Sequence, residues 1–189
     1  MAYSERNKNR RDQVRGRKPS KEKQIEVELP REAINLAVTQ LKKGNTIIYP
    51  TDTIYGLGCD ATNYDAIERL NEIKGRDIST PLIVLVDSFQ MLDSKVNKKP
   101  LTIIYDRPKN VAENVIAQDG TLAVRVTNDP LCRSIIKKLR KPIVSTSANL
   151  SKHKSPIHFA DIGEELLKRV DHVMDIPLVH KNIKPSSIM

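Results

Sequence analysis

The chain has 189 residues, 39% of them hydrophobic, two cysteines, no tryptophan and a net charge of +9. That length suits one domain with an adequate core. No long apolar run and no signal-peptide pattern occurs, so no membrane span or crossing is expected. Cys59 and Cys132 lie far apart without partnered His spacing, which speaks against a disulfide framework or a zinc site. They read as buried thiols of a cytoplasmic protein. The charge is uneven. Residues 1–24 hold nine Lys/Arg against three acids, a net +6, and almost nothing apolar. Such an arm cannot bury enough surface to fold alone, so 1–24 reads as a disordered basic tail and 25–189 as the domain. The arm suits RNA phosphates, or it is simply a solvated tail.

In chain order, Ile25, Val27 and Leu29 alternate with charges and predict a half-exposed strand. Pro30 sits near a helix start, and Ala33, Ile34, Ala37, Val38 and Leu41 recur at helical spacing up to a Gly44 cap. Thr46-Ile47-Ile48 predicts a buried strand that Pro50 stops, followed by a loop that runs on through Asp60. That stretch, YPTDTIYGLGCD, carries three small oxygen-bearing side chains, Thr51, Asp52 and Thr53, and then Gly56 and Gly58. A second helix uses Ala66, Ile67, Leu70 and Ile73, capped by Asn63 or Asp65 and ending at Lys74-Gly75. Leu82–Val86 reads as a strand buried on both faces, with a short helix through Met91-Leu92 after it. Strands are expected at Leu101–Tyr105, Thr121–Val126, Ile143–Ser145 and Val173-Met174. Helices are expected around Val115, from Asp129-Pro130 to Leu139, and from Ile162 to Val170. Alternating helices and strands argue for a single α/β domain on a twisted sheet.

Several residues can carry chemistry. Lys74 and Arg76 are two close cations just past a helix end, suited to an anion or to capping that end. Ser145, Thr146, Ser147 and Asn149 cluster after a strand, where they can hold phosphate and sugar oxygens or simply close a turn. Arg125 lies inside an apolar strand, a costly place for a charge unless it is paired or faces a cavity. No GxxxxGK[ST] or GxGxxG occurs, so any bound nucleotide must be held by side chains and loop amides. His153, His158, His172 and His180 show no metal spacing and read as surface residues; no metal site is expected.

The stretch YPTDTIYGLGCDAT resembles the signature of the YrdC-like family, the threonylcarbamoyl-AMP synthases, in its short, single-domain branch. KGRDISTPLIVLV, TLAVRV, PIVSTSANLS and KPSSI resemble further family motifs in the same order. The resemblance implies a twisted mixed sheet around a concave basic cavity. It makes Lys74 and Arg76 the KxR pair, and Ser147 and Asn149 the SxN pair, all four at the reacting site and binding ATP. It implies that Arg125 holds the carboxylate of L-threonine, with Thr53, Ser145 and Ser186 or Ser187 as further contacts to it. Thr80, Thr121, Ser147 and Ser155 fall at its ATP contacts.

The implied activity joins L-threonine, bicarbonate and ATP, with Mg2+, into threonylcarbamoyl-adenylate and pyrophosphate. The product passes to threonylcarbamoyl-transfer machinery acting on tRNA. The alternatives are a non-catalytic module for tRNA or double-stranded RNA, and a carbamoyl-adenylate enzyme like the YrdC-like part of hydrogenase maturation factors. This sequence departs from the family pattern in four places. Lys98-Lys99-Pro100 replaces Pro-Gly-Pro, Leu85 stands where a His is frequent, and Lys152 stands where Gly is usual in SANxSG. A further strand carrying an Arg is also usual beyond the position of Met189.

Overall fold

A computed structural model describes residues 29–76, 80–88 and 102–177. Its elements are α1 (Arg31–Lys42), β1 (Ile47–Pro50), β2 (Tyr55–Asp60), α2 (Tyr64–Lys74), β3 (Ile83–Val86), β4 (Thr102–Asp106), β5 (Thr121–Val126), α3 (Pro130–Leu139), β6 (Ile143–Ser147), α4 (Glu164–Arg169) and β7 (His172–Val173). One-turn 3-10 helices cover Glu113–Val115 and Phe159–Asp161. The expected strand at 25–29, the helix through Met91-Leu92, the 1–24 tail and Ser186/Ser187 lie outside the described residues.

The strands form one mixed sheet in the order β4-β5-β3-β6-β2-β1-β7. β3 runs parallel to β5, and β1 parallel to β7; the other neighbours are antiparallel. Side chains alternate between the two faces, as a pleated strand requires. Ile48, Leu57, Val84, Val124 and Val144 point into one core with Ile67 and Leu70 of α2 and Leu166 of α4. Ile47, Tyr49, Leu85 and Ile143 point into the other, with Ile34, Val38 and Leu41 of α1 and Leu131, Ile135 and Ile136 of α3. The result is a three-layer α/β domain.

Local chemistry sets the helix ends. Asn63 accepts the Ala66 N–H and caps α2, and Gly75 closes it in the left-handed region. Asp129 accepts the Cys132 N–H, with Pro130 at the first position of α3.

One stretch departs from its expected form. Tyr55–Asp60 is a fully buried strand, not a loop, and Pro50 is the last residue of β1, paired with Tyr55. The glycines belong in this strand because of what covers them. A Cβ at Gly58 would sit 2.4 Å from the Val144 carbonyl oxygen and 2.9 Å from the Tyr49 ring. Gly56 and Gly58 thus leave room for that ring and for the backbone of β6. β6 also runs two residues further than expected, which brings Ser147 into the sheet. His172 is half-buried on β7, not on the surface; burial lowers its pKa.

Candidate active site

Strand register assembles the site on the sheet face that α1 and α3 cover. Leu85 pairs with Arg125, Ile83 with Ser145, and Gly56 with Ser147. These residues border a cleft of about 420 Å³. The turn Thr51–Ile54 closes one wall, and Lys74, Arg76, Thr80 and Pro81 another. Ser151 and Ser155 complete the rim.

Arg125 is 9% exposed although charged, so its partner decides its role. Its Nη2 donates to Asp52 Oδ2 at 2.6 Å. Asp52 belongs to the turn between β1 and β2, which Thr51 ties down. The Thr51 hydroxyl donates to the Ile54 carbonyl at 2.7 Å and accepts the N–H groups of Thr53 and Ile54. Arg125 Nε is buried without a hydrogen-bond partner among the described residues. A guanidinium has five N–H donors, so a second anion can still be taken.

At the other end, Lys74 reaches out of the last turn of α2. Its ammonium donates to the carbonyls of Ser147 at 2.6 Å and Asn149 at 2.9 Å. Ser147 Oγ and Asn149 Oδ1 lie further off, at 3.4 and 3.3 Å. Burial, and then the neighbouring Arg76, bring the Lys74 pKa down from the ordinary 10.5 to about 8. An ammonium has three donors, so beyond the two short bonds one donor is left for one of the two longer contacts or for an anion. Arg76 donates to the carbonyls of Thr80 and Pro81, and its Nε has no partner among the described residues.

Thus Thr53, Lys74, Arg76, Thr80, Arg125, Ser145, Ser147 and Ser155, expected from the sequence, meet around one cleft. Asn149 is not among the cleft-lining residues; its carbonyl and Oδ1 accept from Lys74, while its Nδ2 donates to the carbonyls of Leu150 and His153. Thr121 is not brought in. It starts β5 at the end remote from Arg125, and its hydroxyl donates to Asp119 at 2.7 Å. Two cleft residues carry no distinct sequence signal: Asp52, one polar side chain among three, and Ser151, whose N–H donates to the Lys74 carbonyl at 2.9 Å. Lys152 occupies the left-handed region at φ 68°, which accounts for the glycine usual at that position. Leu85, where a His is frequent, forms apolar floor beside Arg125.

The Sua5/YciO/YrdC family model, described as "Telomere recombination", matches residues 39–189. The chain belongs to the Sua5/YciO/YrdC family. A threonylcarbamoyl-AMP synthase of Pseudoalteromonas translucida is 36% identical over 171 residues, covering 82% of this chain and 91% of its own. One from Klebsiella pneumoniae is 35% identical, covering 65% of this chain and 73% of its own. Among solved family structures, P. abyssi Sua5 complexed with L-threonine superposes with a TM-score of 0.70 at 26% identity. That match covers 77% of this chain and 47% of the Sua5 chain, so this chain spans about half of Sua5's length. E. coli YciO gives a TM-score of 0.70 at 25% identity, covering 84% of this chain and 83% of its own.

Proposed function

We propose that this chain is a threonylcarbamoyl-AMP synthase, converting L-threonine, bicarbonate and ATP into threonylcarbamoyl-adenylate and pyrophosphate for tRNA modification. One observation carries the reading. A single cleft presents a buried arginine at one end, and at the other two close cations surrounded by hydroxyls. Arg125 suits the carboxylate of an amino acid, with Thr53 and Ser145 within the same end. Lys74, Arg76, Thr80, Ser147 and Ser155 suit a nucleotide polyphosphate. A role for Thr121 at the nucleotide and for Ser187 over threonine remains part of the proposal on resemblance alone, as does RNA contact by the basic 1–24 arm.

The chemistry follows from that placement. The threonine ammonium gives a proton to bicarbonate, which breaks down to CO2 and water; the neutral amine then attacks CO2 and sheds a second proton to solvent to give a carbamate, and a carbamate oxygen attacks the α-phosphate as pyrophosphate leaves. Negative charge builds on the phosphoryl oxygens and the leaving group. Fixed cations at Lys74 and Arg76 stabilise it without having to reorganise. Arg125 keeps the amino acid in reach, so that the attack is effectively intramolecular.

The described residues of the cleft do not supply a donor set for a resident Mg2+. Among the described residues no group of three His, Cys, Asp or Glu could hold a metal ion. Asp52, the one carboxylate among the described residues lining the cleft, is already paired with Arg125. Magnesium would arrive on the ATP phosphates as part of the substrate, and no step here runs through it.

The test is pyrophosphate release from ATP and bicarbonate. Release that requires L-threonine, and that serine does not replace, is expected. Release independent of L-threonine, or none from folded protein, contradicts the reading.

A further inference from the structure

The Arg125–Asp52 pair is built unlike an ordinary buried ion pair. Arginine and carboxylate commonly meet through two parallel hydrogen bonds, yet here only Nη2 and Oδ2 are in contact. Asp52 Oδ1 takes no hydrogen bond among the described residues, and Arg125 Nε has no partner. Both side chains line the cleft. The backbone that carries Asp52 is held in place, because the Thr51 hydroxyl bonds the Thr53 and Ile54 backbone just beyond it. A spare acceptor and spare donors are therefore held next to each other at one end of the site.

A simple carboxylate fits this arrangement poorly, since Arg125 would attract it while Asp52 repelled it. An α-amino acid fits well, because its carboxylate and ammonium are joined through one carbon. We propose that Asp52 recognises the α-ammonium group of the amino-acid substrate, so that Asp52 and Arg125 together clamp a zwitterion. This rests on the synthase reading above. It gives Asp52 a selective role: carboxylic acids without the amine, which could occupy the site but never form a carbamate, are kept out by repulsion.

The test is calorimetric titration of the full chain with L-threonine and with (R)-3-hydroxybutyrate, which is L-threonine without its amine. The wild type is expected to bind L-threonine roughly tenfold or more tightly, as befits a charge-assisted contact. Asp52→Asn should close that gap, weakening L-threonine and leaving (R)-3-hydroxybutyrate unchanged or tighter. Equal affinity of the wild type for both ligands overturns the clamp without any variant being needed. So does an Asp52→Asn protein in which both ligands weaken by the same factor, the result if Asp52 only holds Arg125 in place. A variant that changes neither affinity also overturns it. A wild type that binds neither ligand overturns the synthase reading itself, whereas threonine binding without discrimination overturns only the clamp.

Discussion

The two ends of the cleft hold their cations in opposite ways. Lys74 and Arg76 are held by backbone carbonyls, and no carboxylate bonds to either among the described residues. Carbonyls fix a cation without neutralising it, so among the described residues these two positive charges stand without a counter-charge. Arg125 is held by a carboxylate, so its end is neutral overall. The difference matches the chemistry proposed for each. A polyphosphate brings several negative charges and calls for an uncompensated field. A free amino acid brings one charge of each sign and is matched by one of each.

The largest effect that could break this comparison is at Arg125. Arg125→Ala should lower kcat/KM for L-threonine about 100-fold or more, because it removes the carboxylate's partner and leaves Asp52 unpaired. The KM for ATP should change less than about threefold. Steady-state pyrophosphate release at varied threonine and ATP measures both. Equal losses for the two substrates would mean that the ends are not separate.

Lys74→Met sharpens the other end. ATP affinity should fall about tenfold, with L-threonine affinity nearly unchanged, read by calorimetry. Lys74 titrates near pH 8 because burial, and then Arg76, disfavour its charge. It is charged below that pH and neutral above it, so wild-type ATP affinity should decline as pH rises through about 8. Lys74→Met should show no such step. A wild-type profile that stays flat from neutral to alkaline pH would count against a working charge on Lys74.

A smaller effect serves as a control away from both ends. Asp171 accepts the N–H and hydroxyl of Thr46 and two Arg69 donors, tying the start of β7 to β1 and α2. Burial alone would raise its pKa, but Arg69 and Thr46 outweigh that and hold it at about 2. The folded value lies below the unfolded one of about 3.9. The stabilisation is therefore present above about pH 4 and is lost as pH falls from there toward 2. Asp171→Asn should cost about 1–2 kcal/mol in urea unfolding at pH 7. It should also flatten the acid limb and leave both KM values alone.

What the sequence shows of all this depends on how local the cause is. α2 and α3 are legible nearly to their ends because Gly75, Asp129 and Pro130 write their own caps, and Asn63 is one of the two cap residues the sequence offers for α2. β5 is legible from its apolar run, and Arg125 stands out inside that run as a charge needing a partner. Family motifs supply most of the remaining cleft residues. β2 is not legible, since Gly56 and Gly58 read as turn residues until the Tyr49 ring is seen lying over them. Asp52 is hidden for the same kind of reason: its partner is 73 residues away, and only the sheet register brings them together. Thr121 shows the converse, a motif position that the strand direction carries away from the cleft.

The most direct test of the divided cleft is the salt dependence of each substrate's affinity. ATP and L-threonine should be titrated separately into wild-type protein from about 0.05 M to about 0.5 M KCl, a range over which exposed charges become screened. The account predicts that ATP affinity falls severalfold or more while L-threonine affinity holds within about a factor of two. A threonine affinity that falls as steeply as that for ATP would contradict it, because Arg125 would then be acting as an unpaired charge.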